Sequence, residues 1–276
     1  MKILSCGAGM QSTALALMSC ENKKEIKYKE VPIYDAVIFC DLGSEPIWVY
    51  KQVDFIKNAC EDAEIPFYIL DTHLHQDYLN NFGKRRVVSI PFWSVDENGK
   101  KGKMMRNCTL DYKINEIIKF VKYKLLGYAK YQRVKNEDLK AHEMHLGFSL
   151  EEKNRCKENK HKMFVNKFLL VDMELTRADN YKYILEKWGL DTKASACCFC
   201  PFHTNYFFEY MKDNHKEQYQ SILEFDEMLE REQPNTKIRS KLYISKSRKR
   251  IKDLSDEDFK DKEVFDYRNK KIWNGF

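Results

Sequence analysis

No stretch of this 276-residue chain approaches the ~20 consecutive apolar residues that a bilayer-spanning helix needs. The start, Met1-Lys2-Ile3-Leu4-Ser5-Cys6-Gly7, is too short and too glycine-rich for the apolar region of a secretory signal. The expected location is therefore the cytoplasm, with no membrane partner. No internal repeat is present, and the composition excludes a collagen, a coiled-coil array and a disordered acidic tail. A disulfide framework is also excluded: nine cysteines cannot all pair, and a cytosolic chain keeps its thiols reduced.

What is present is a globular composition, 43% apolar and 33% charged, long enough for one large α/β domain or a domain with a small appendage. Forty-eight Lys+Arg against 42 Asp+Glu leave a net charge of +6, and lysine outnumbers arginine 37 to 11. A phosphate-rich partner would use that excess; genomic base composition explains it equally well.

The chain alternates strand and helix signals. Residues 2–6, 35–40, 66–70, 143–147 and 168–173 are short apolar runs of strand type. Residues 11–20, 47–63 and 176–188 have helical patterns, the last stopped by Gly189. Strands separated by helices indicate a mostly parallel sheet. Residues 95–103 are polar, basic and glycine-containing, and are expected to form a mobile loop. From Asn205 onward the chain is charged and helical in pattern, with Pro234 as a break. Within it, 237–252 is strongly basic, either as a solvated face or as a polyanion contact.

Between the first strand and the first helix lies Ser5-Cys6-Gly7-Ala8-Gly9-Met10-Gln11-Ser12-Thr13. Small residues there let backbone N–H groups approach an anion, and the helix N-terminus adds partial positive charge. The plainer reading is a tight turn without ligand. The loop has no Walker A lysine and its spacing is not G-x-G-x-x-G, which disfavours a P-loop kinase and a Rossmann dehydrogenase. Near the chain's middle and beyond, Cys197-Cys198-Phe199-Cys200 contains C-x-x-C, a spacing suited to a redox dithiol, zinc or an iron–sulfur centre. Cys108 follows Arg106 near a helix start, a setting that stabilises a thiolate.

The glycine loop resembles the PP-loop, Ser-Gly-Gly-x-Asp-Ser in its commonest form, with Gly7 for the first serine and Gln11 for the aspartate. Four further stretches follow in order: Asp41-Leu42-Gly43-Ser44-Glu45-Pro46; Arg106-Asn107-Cys108-Thr109-Leu110-Asp111-Tyr112-Lys113-Ile114; Gly147-Phe148-Ser149-Leu150-Glu151-Glu152 with Arg155; and Leu175-Thr176-Arg177 followed by Ser195-Ala196-Cys197-Cys198-Phe199-Cys200-Pro201-Phe202. Together they resemble the PAPS reductase-like branch of the adenine nucleotide α-hydrolase-like (PP-loop ATP pyrophosphatase) superfamily, over roughly residues 1–215.

The resemblance implies an α/β fold with a doubly wound, mostly parallel five-stranded sheet, and an adenine nucleotide across the C-terminal strand ends. It implies a nucleotide-binding domain over 1–215 and a helical, basic extension over 216–276 packed on the same domain. Ser5, Gly7, Ala8, Gly9, Gln11, Ser12 and Thr13 would cradle the phosphates of ATP or another adenine nucleotide. Gly147 would admit the adenine ring, while Arg155 and Arg177 would add positive charge or serve as surface ion pairs. Asp41 would orient the loop, a ribose hydroxyl or Mg²⁺, or else cap a turn; Glu45 is a second Mg²⁺ candidate. Arg106 and Lys113 would stabilise departing charge. Cys108, Cys197 and Cys200 would hold a [4Fe–4S] cluster, with zinc as the alternative and Cys198, Cys156 or His203 as a fourth ligand.

The implied reaction is adenylation of an acceptor followed by sulfur transfer, with a nucleic-acid acceptor and a sulfur or electron donor as partners. The neutral Gln11 puts metal-assisted ATP chemistry at that position in doubt. Sulfonucleotide reduction is disfavoured because the family's Glu-Cys-Gly-x-His segment is missing and no cysteine follows Cys200. A non-catalytic nucleotide- or nucleic-acid-binding protein with structural zinc is the third reading. The oligomeric state stays open, a dimer included.

Overall fold

The structure, a computed structural model, describes residues 1–262. In chain order its elements are β1 (Lys2–Cys6), α1 (Met10–Lys24), β2 (Ala36–Asp41), α2 (Ile47–Asp62), β3 (Phe67–Asp71), α3 (Leu74–Asn81), β4 (Trp93–Val95), β5 (Lys101–Lys103), α4 (Asn115–Phe120), β6 (His142–Leu146), β7 (Phe164–Lys167), α5 (Leu169–Asp172), α6 (Arg177–Trp188), α7 (Asn205–Asn214), α8 (Lys216–Glu232) and β8 (Lys241–Tyr243). The chain divides into two compact units. The first takes Met1–Cys40, Ile47–Leu70 and Glu116–Ser195; the second takes Asp41–Pro46, Asp71–Asn115 and Ala196–Phe276, described as far as Lys262. The expected 216–276 extension lies partly outside the described residues.

The first unit is built on a five-stranded parallel sheet, in the order β3-β2-β1-β6-β7, with helices around it. This is an α/β arrangement of the Rossmann-like kind. Burial explains the strand sequences. Ile3 and Leu4 of β1 and Ala36, Val37 and Ile38 of β2 are fully buried, as central parallel strands covered on both faces must be. α1 is buried nearly all round from Met10 to Cys20, with Gln11 the half-exposed exception, so it carries little amphipathic signal. It packs against α2 and α6.

α6 is bounded by local chemistry. The Thr176 hydroxyl accepts from the Asp179 N–H at 3.2 Å, and the Asp179 carboxylate accepts from the Thr176 N–H at 2.9 Å. This reciprocal capping box satisfies two otherwise orphaned donors. Gly189 ends the helix with φ 68°, a left-handed conformation that glycine adopts without a Cβ penalty.

Two sequence expectations are corrected in this unit and the next. The fifth strand is Phe164–Lys167, whereas Leu169–Asp172 is a helical turn. A short apolar run does not distinguish a buried strand from a buried helical turn, and the true strand is a half-polar edge strand. Residues 95–103 are no mobile loop: β4 and β5 pair antiparallel, Trp93 opposite Lys103 and Val95 opposite Lys101. The Asp96 side chain closes their turn by accepting from the Asn98 and Lys100 N–H groups.

The second unit combines this hairpin with β8, in the order β5-β4-β8, and with α3, α7 and α8. The region beyond Asn205 is thus helical only as far as Glu232 in its two long helices, after which β8 joins a sheet. Phe92, Phe199, Phe225 and Tyr78 form an aromatic core, with Phe199 and Phe225 stacked at 4.5 Å between ring centres. Among the described residues, no helix is long and apolar enough to cross a membrane.

Thr176→Ala removes the N-cap acceptor of α6. It should lower unfolding stability by about 1 kcal/mol, read from the midpoint of urea denaturation at unchanged m-value.

Candidate functional site: a glycine loop and a cysteine cluster

β1 is flanked in parallel register by β2 and β6, so the chain leaving it at Cys6 must turn sharply into α1. Three contacts fix that turn. The Gly7 N–H donates to the Ser12 hydroxyl at 3.1 Å, and that hydroxyl donates onward to the Gly9 carbonyl at 3.2 Å. Buried Gln52, from α2, donates to the Ala8 carbonyl at 2.5 Å and to the Lys193 carbonyl at 3.2 Å, and accepts from the Lys193 N–H at 2.6 Å. Ala8 is thereby held at φ 53°, an unusual conformation for a residue with a Cβ.

The result is a helix start without a side-chain cap, in which Met10, Ser12 and Thr13 are buried and Gln11 is half-exposed. Gly9 caps α1 without a side-chain hydrogen bond, and no acidic residue stands in the first turn. The first N–H groups of this 15-residue helix therefore lack the acceptor that a Ser, Asp or Asn cap supplies. Thr13 sits fully buried in that turn, and among the described residues its hydroxyl has no hydrogen-bond partner.

Of the remaining expected nucleotide residues, Gln11 donates to Glu152 at 2.8 Å and to Ser149 at 3.4 Å. A carboxylate thus stands beside the position where the PP-loop pattern has one, supplied by a different residue. Arg155 pairs with the same Glu152 and lies over the Phe148 ring at 4.4 Å. The Arg177 backbone N–H donates to Glu151 at 3.0 Å. Gly147 is placed against the loop itself: a Cβ there would stand 2.6 Å from the Ser12 nitrogen. Its missing side chain is used by the protein's own backbone. Ser5 lies within β1, opposite Ile38 and Leu146.

Sequence reasoning missed Gln52 and the position of Ser195. A Cβ on Gly9 would meet the Ser195 hydroxyl at 2.8 Å, so Ser195 covers the loop. Ser195 stood in a quoted motif, but nothing in the sequence marks Gln52 as the clamp.

The second unit holds Asp41, Glu45, Arg106, Cys108, Lys113 and the three clustered cysteines. Asp41 ends β2 and accepts from the Gly43 N–H at 2.8 Å, closing its own turn. The segment after it is tied to the cysteine loop by the Cys198 N–H, which donates to the Ser44 carbonyl at 2.8 Å. Glu45 is 1% exposed, and burial pushes its carboxyl above the ordinary range although Lys113 stands 3.9 Å away.

Cys197 and Cys200 close one turn, the Cys200 N–H donating to the Cys197 carbonyl at 2.9 Å. Their thiols hydrogen-bond to each other, and this bond splits their acidities. Cys200 is lowered by the bond from Cys197, by the Phe202 backbone N–H and by the charge of Arg106, against the cost of burial. Cys197 is raised well above an ordinary thiol by the same bond, by burial, and by the nearby Glu45 and Cys108. Cys200 is thus the more acidic thiol and Cys197 the one that holds its proton, an asymmetry that thiol–disulfide chemistry uses.

Around the pair, Cys108 opens a helical turn with its N–H on the Ser89 carbonyl at 2.8 Å. Cys198 is buried, and its thiol is pushed up to about 12 by that burial and by Glu45. His203 bonds the Cys197 carbonyl at 3.0 Å and stacks on Phe207. Cys156 belongs to the first unit. The cysteine set has the softness that iron or zinc takes. Among the described residues, however, no three His, Cys, Asp or Glu groups are arranged to hold a metal ion. As they stand, the thiols of Cys197 and Cys200 serve each other.

Comparison with protein families, with curated proteins and with solved structures returned no match.

The split acidity has a measurable consequence. Only the thiolate alkylates, so Cys200 should react with iodoacetamide with a pH midpoint below that of an ordinary thiol. Cys197→Ala removes the supporting donor and should move that midpoint to higher pH, read by mass-spectrometric rates at Cys200. An unmoved midpoint would break the assignment.

Proposed function

We propose that the chain is an enzyme that binds an adenine nucleotide at the N-terminus of α1, activates an acceptor oxygen as its adenylate and replaces that oxygen with sulfur. The observation that carries the reading is the uncapped first turn of α1, which leaves the strand at a switch between β2 and β6. Open α/β sheets bind their ligands at such points, and uncapped helix N–H groups suit phosphate. The PP-loop resemblance supplies the nucleotide's class.

In this reading the loop amides hold the phosphates while an acceptor oxygen attacks the α-phosphorus of ATP. The bond from that phosphorus to the bridging oxygen breaks, and pyrophosphate leaves. Cys200 takes sulfane sulfur from a donor persulfide, whose thiolate leaves, and the terminal sulfur of the resulting persulfide attacks the acceptor carbon; the C–O bond breaks and AMP departs. Cys197 attacks the Cys200 sulfur, releases the thiolated product and leaves a Cys197–Cys200 disulfide, which an external dithiol reduces. No step is routed through a metal. Asp41 closes a turn and Glu45 is buried with its carboxyl shifted toward the neutral form, so the loop's backbone dipoles carry the charge stabilisation.

The same cysteine pair favours one second reading. Cys200 could attack the sulfur of a sulfonucleotide, with Cys197 releasing sulfite, without the C-terminal cysteine that the family's reductases use.

One assay separates them. Incubation with labelled ATP, a sulfur donor and candidate acceptors should release pyrophosphate and AMP, and Cys200→Ser should stop sulfur transfer while sparing pyrophosphate release. Thiol-dependent sulfite from PAPS, with no pyrophosphate from ATP, decides for the reductase. Absence of calorimetric heat with ATP, AMP and PAPS alike would remove both.

A further inference from the structure

The strongest unassigned feature is a basic groove within the second unit. Two adjoining cavities, of about 590 Å³ and about 750 Å³, share Thr236 and Ile238 in their walls. The chain builds them from segments far apart in sequence: residues within 83–88, 104–107 and 235–238 line the larger one, and residues within 230–253, Arg239 and Lys241 among them, the smaller. The strongly basic stretch 237–252 is thereby set beside Lys84, Arg85 and Arg86, a second basic run that its own sequence context does not mark.

The structure sorts these charges into two groups. Arg250 is buried and paired with Asp226 at 3.0 Å, Lys249 pairs with Asp258 at 2.8 Å, and Arg85 pairs with Asp77. Arg248 lies over the Trp93 ring and donates to backbone carbonyls of Ser94 and Gly102. These hold the fold. Lys84, Arg86, Lys237, Arg239 and Lys241 are exposed, and among the described residues none has a carboxylate within ion-pair distance. Five cations without an ion pair among the described residues thus line the two adjoining cavities, against two acidic lining residues, Asp253 and Glu230, the latter facing Arg250 at 3.3 Å.

The recess also has an apolar floor. Met105 is 78% exposed, and Val88, Ile238 and Tyr243 are half-buried beside the charges. Charge alone would suit any polyanion. An acidic peptide would use the cations and leave the apolar surface wet. A duplex keeps its bases stacked inside and cannot lower them into recesses. A single polynucleotide strand uses both, with phosphates on the Lys and Arg side chains and base faces on the apolar floor.

We propose that this groove binds a single polynucleotide strand, contacted through phosphodiester groups by Lys84, Arg86, Lys237, Arg239 and Lys241, with bases resting on Met105, Val88 and Ile238. Binding uses no residue of the α1 loop. That the bound strand is the acceptor of the adenylate rests on the function proposed above; the binding does not.

The test is fluorescence anisotropy with short labelled strands of mixed sequence, as DNA and as RNA, over a salt series. Tight binding is expected for both, weakening as salt rises, because the shared phosphodiester backbone supplies the affinity. Lys237→Glu with Arg239→Glu should weaken it by about tenfold or more, and Arg86→Ala should flatten the log–log salt slope by about 0.7. Lys29→Glu, an exposed charge in the first unit, should change neither. An unchanged far-UV spectrum and unfolding midpoint certify each variant's fold. The proposal is overturned if the unmodified protein binds no strand, if the groove variants bind as tightly, or if duplex DNA or polyglutamate competes as well as the strand. Strand binding without pyrophosphate release would keep the groove and remove the adenylation reading.

Discussion

The loop between β1 and α1 is where the first unit's geometry is most constrained. β1 is paired on both edges, its Ile3 and Leu4 are fully buried, and α1 begins only four residues past its last strand position. Ala8 in that span is fully buried and Gly7 and Gly9 only half-exposed, so the turn is tied internally. Ser12 and Gln52 do this from opposite sides, one from within α1 and one from α2. Gly147 lets the end of β6 press directly on the Ser12 backbone. Because the side-chain hydrogen bonds go to the loop's carbonyls and to Gly7, the helix's own first donors are left uncapped. An anion at that position would relieve the same deficit that a capping side chain relieves elsewhere.

A different constraint governs the cysteines. Phe199, between Cys198 and Cys200, is stacked on Phe225 and His75 in the aromatic core, while Cys198 is bonded to Ser44. The loop is therefore nailed down between its reactive groups, and the Cys197–Cys200 bond forms at a fixed spacing. Arg106, over the Phe202 ring at 5.5 Å, adds positive charge that favours the Cys200 thiolate, while buried Glu45 raises the proton affinity of both thiols. The asymmetry of the two thiols comes first from their mutual hydrogen bond, with the Phe202 N–H and Arg106 favouring Cys200 further.

Much of the sheet was legible: β1, β2, β3 and β6 lie within a residue of their sequence signals, β1 and β2 because central burial demands apolar runs. β7 was not, because an edge strand such as Phe164-Val165-Asn166-Lys167 needs only one apolar face, and the stronger run at Leu169-Leu170 drew the reading to a helical turn. The β4–β5 hairpin was hidden by lysines and glycine, since its strands are held by backbone bonds and not by apolar side chains. For the candidate site, the loop, the cysteines and their arginine neighbour could be named from motifs. Their contacts could not, although Glu152 and Ser195 stand in the motif stretches. Gln52, Glu152 and Ser195 act through tertiary contacts that no local pattern encodes, and the basic groove joins residues 84–86 to 237–241 only after folding.

The central claim is that the backbone of α1's first turn receives a phosphate group. Amide chemical shifts of Met10, Gln11 and Ser12, followed during titration with ATP and with AMP, test it most directly. The account predicts large, saturable downfield shifts at these amides, shared by both nucleotides and unaltered in a Cys197→Ala, Cys200→Ala protein. Saturable binding that leaves these three amides unmoved would contradict it.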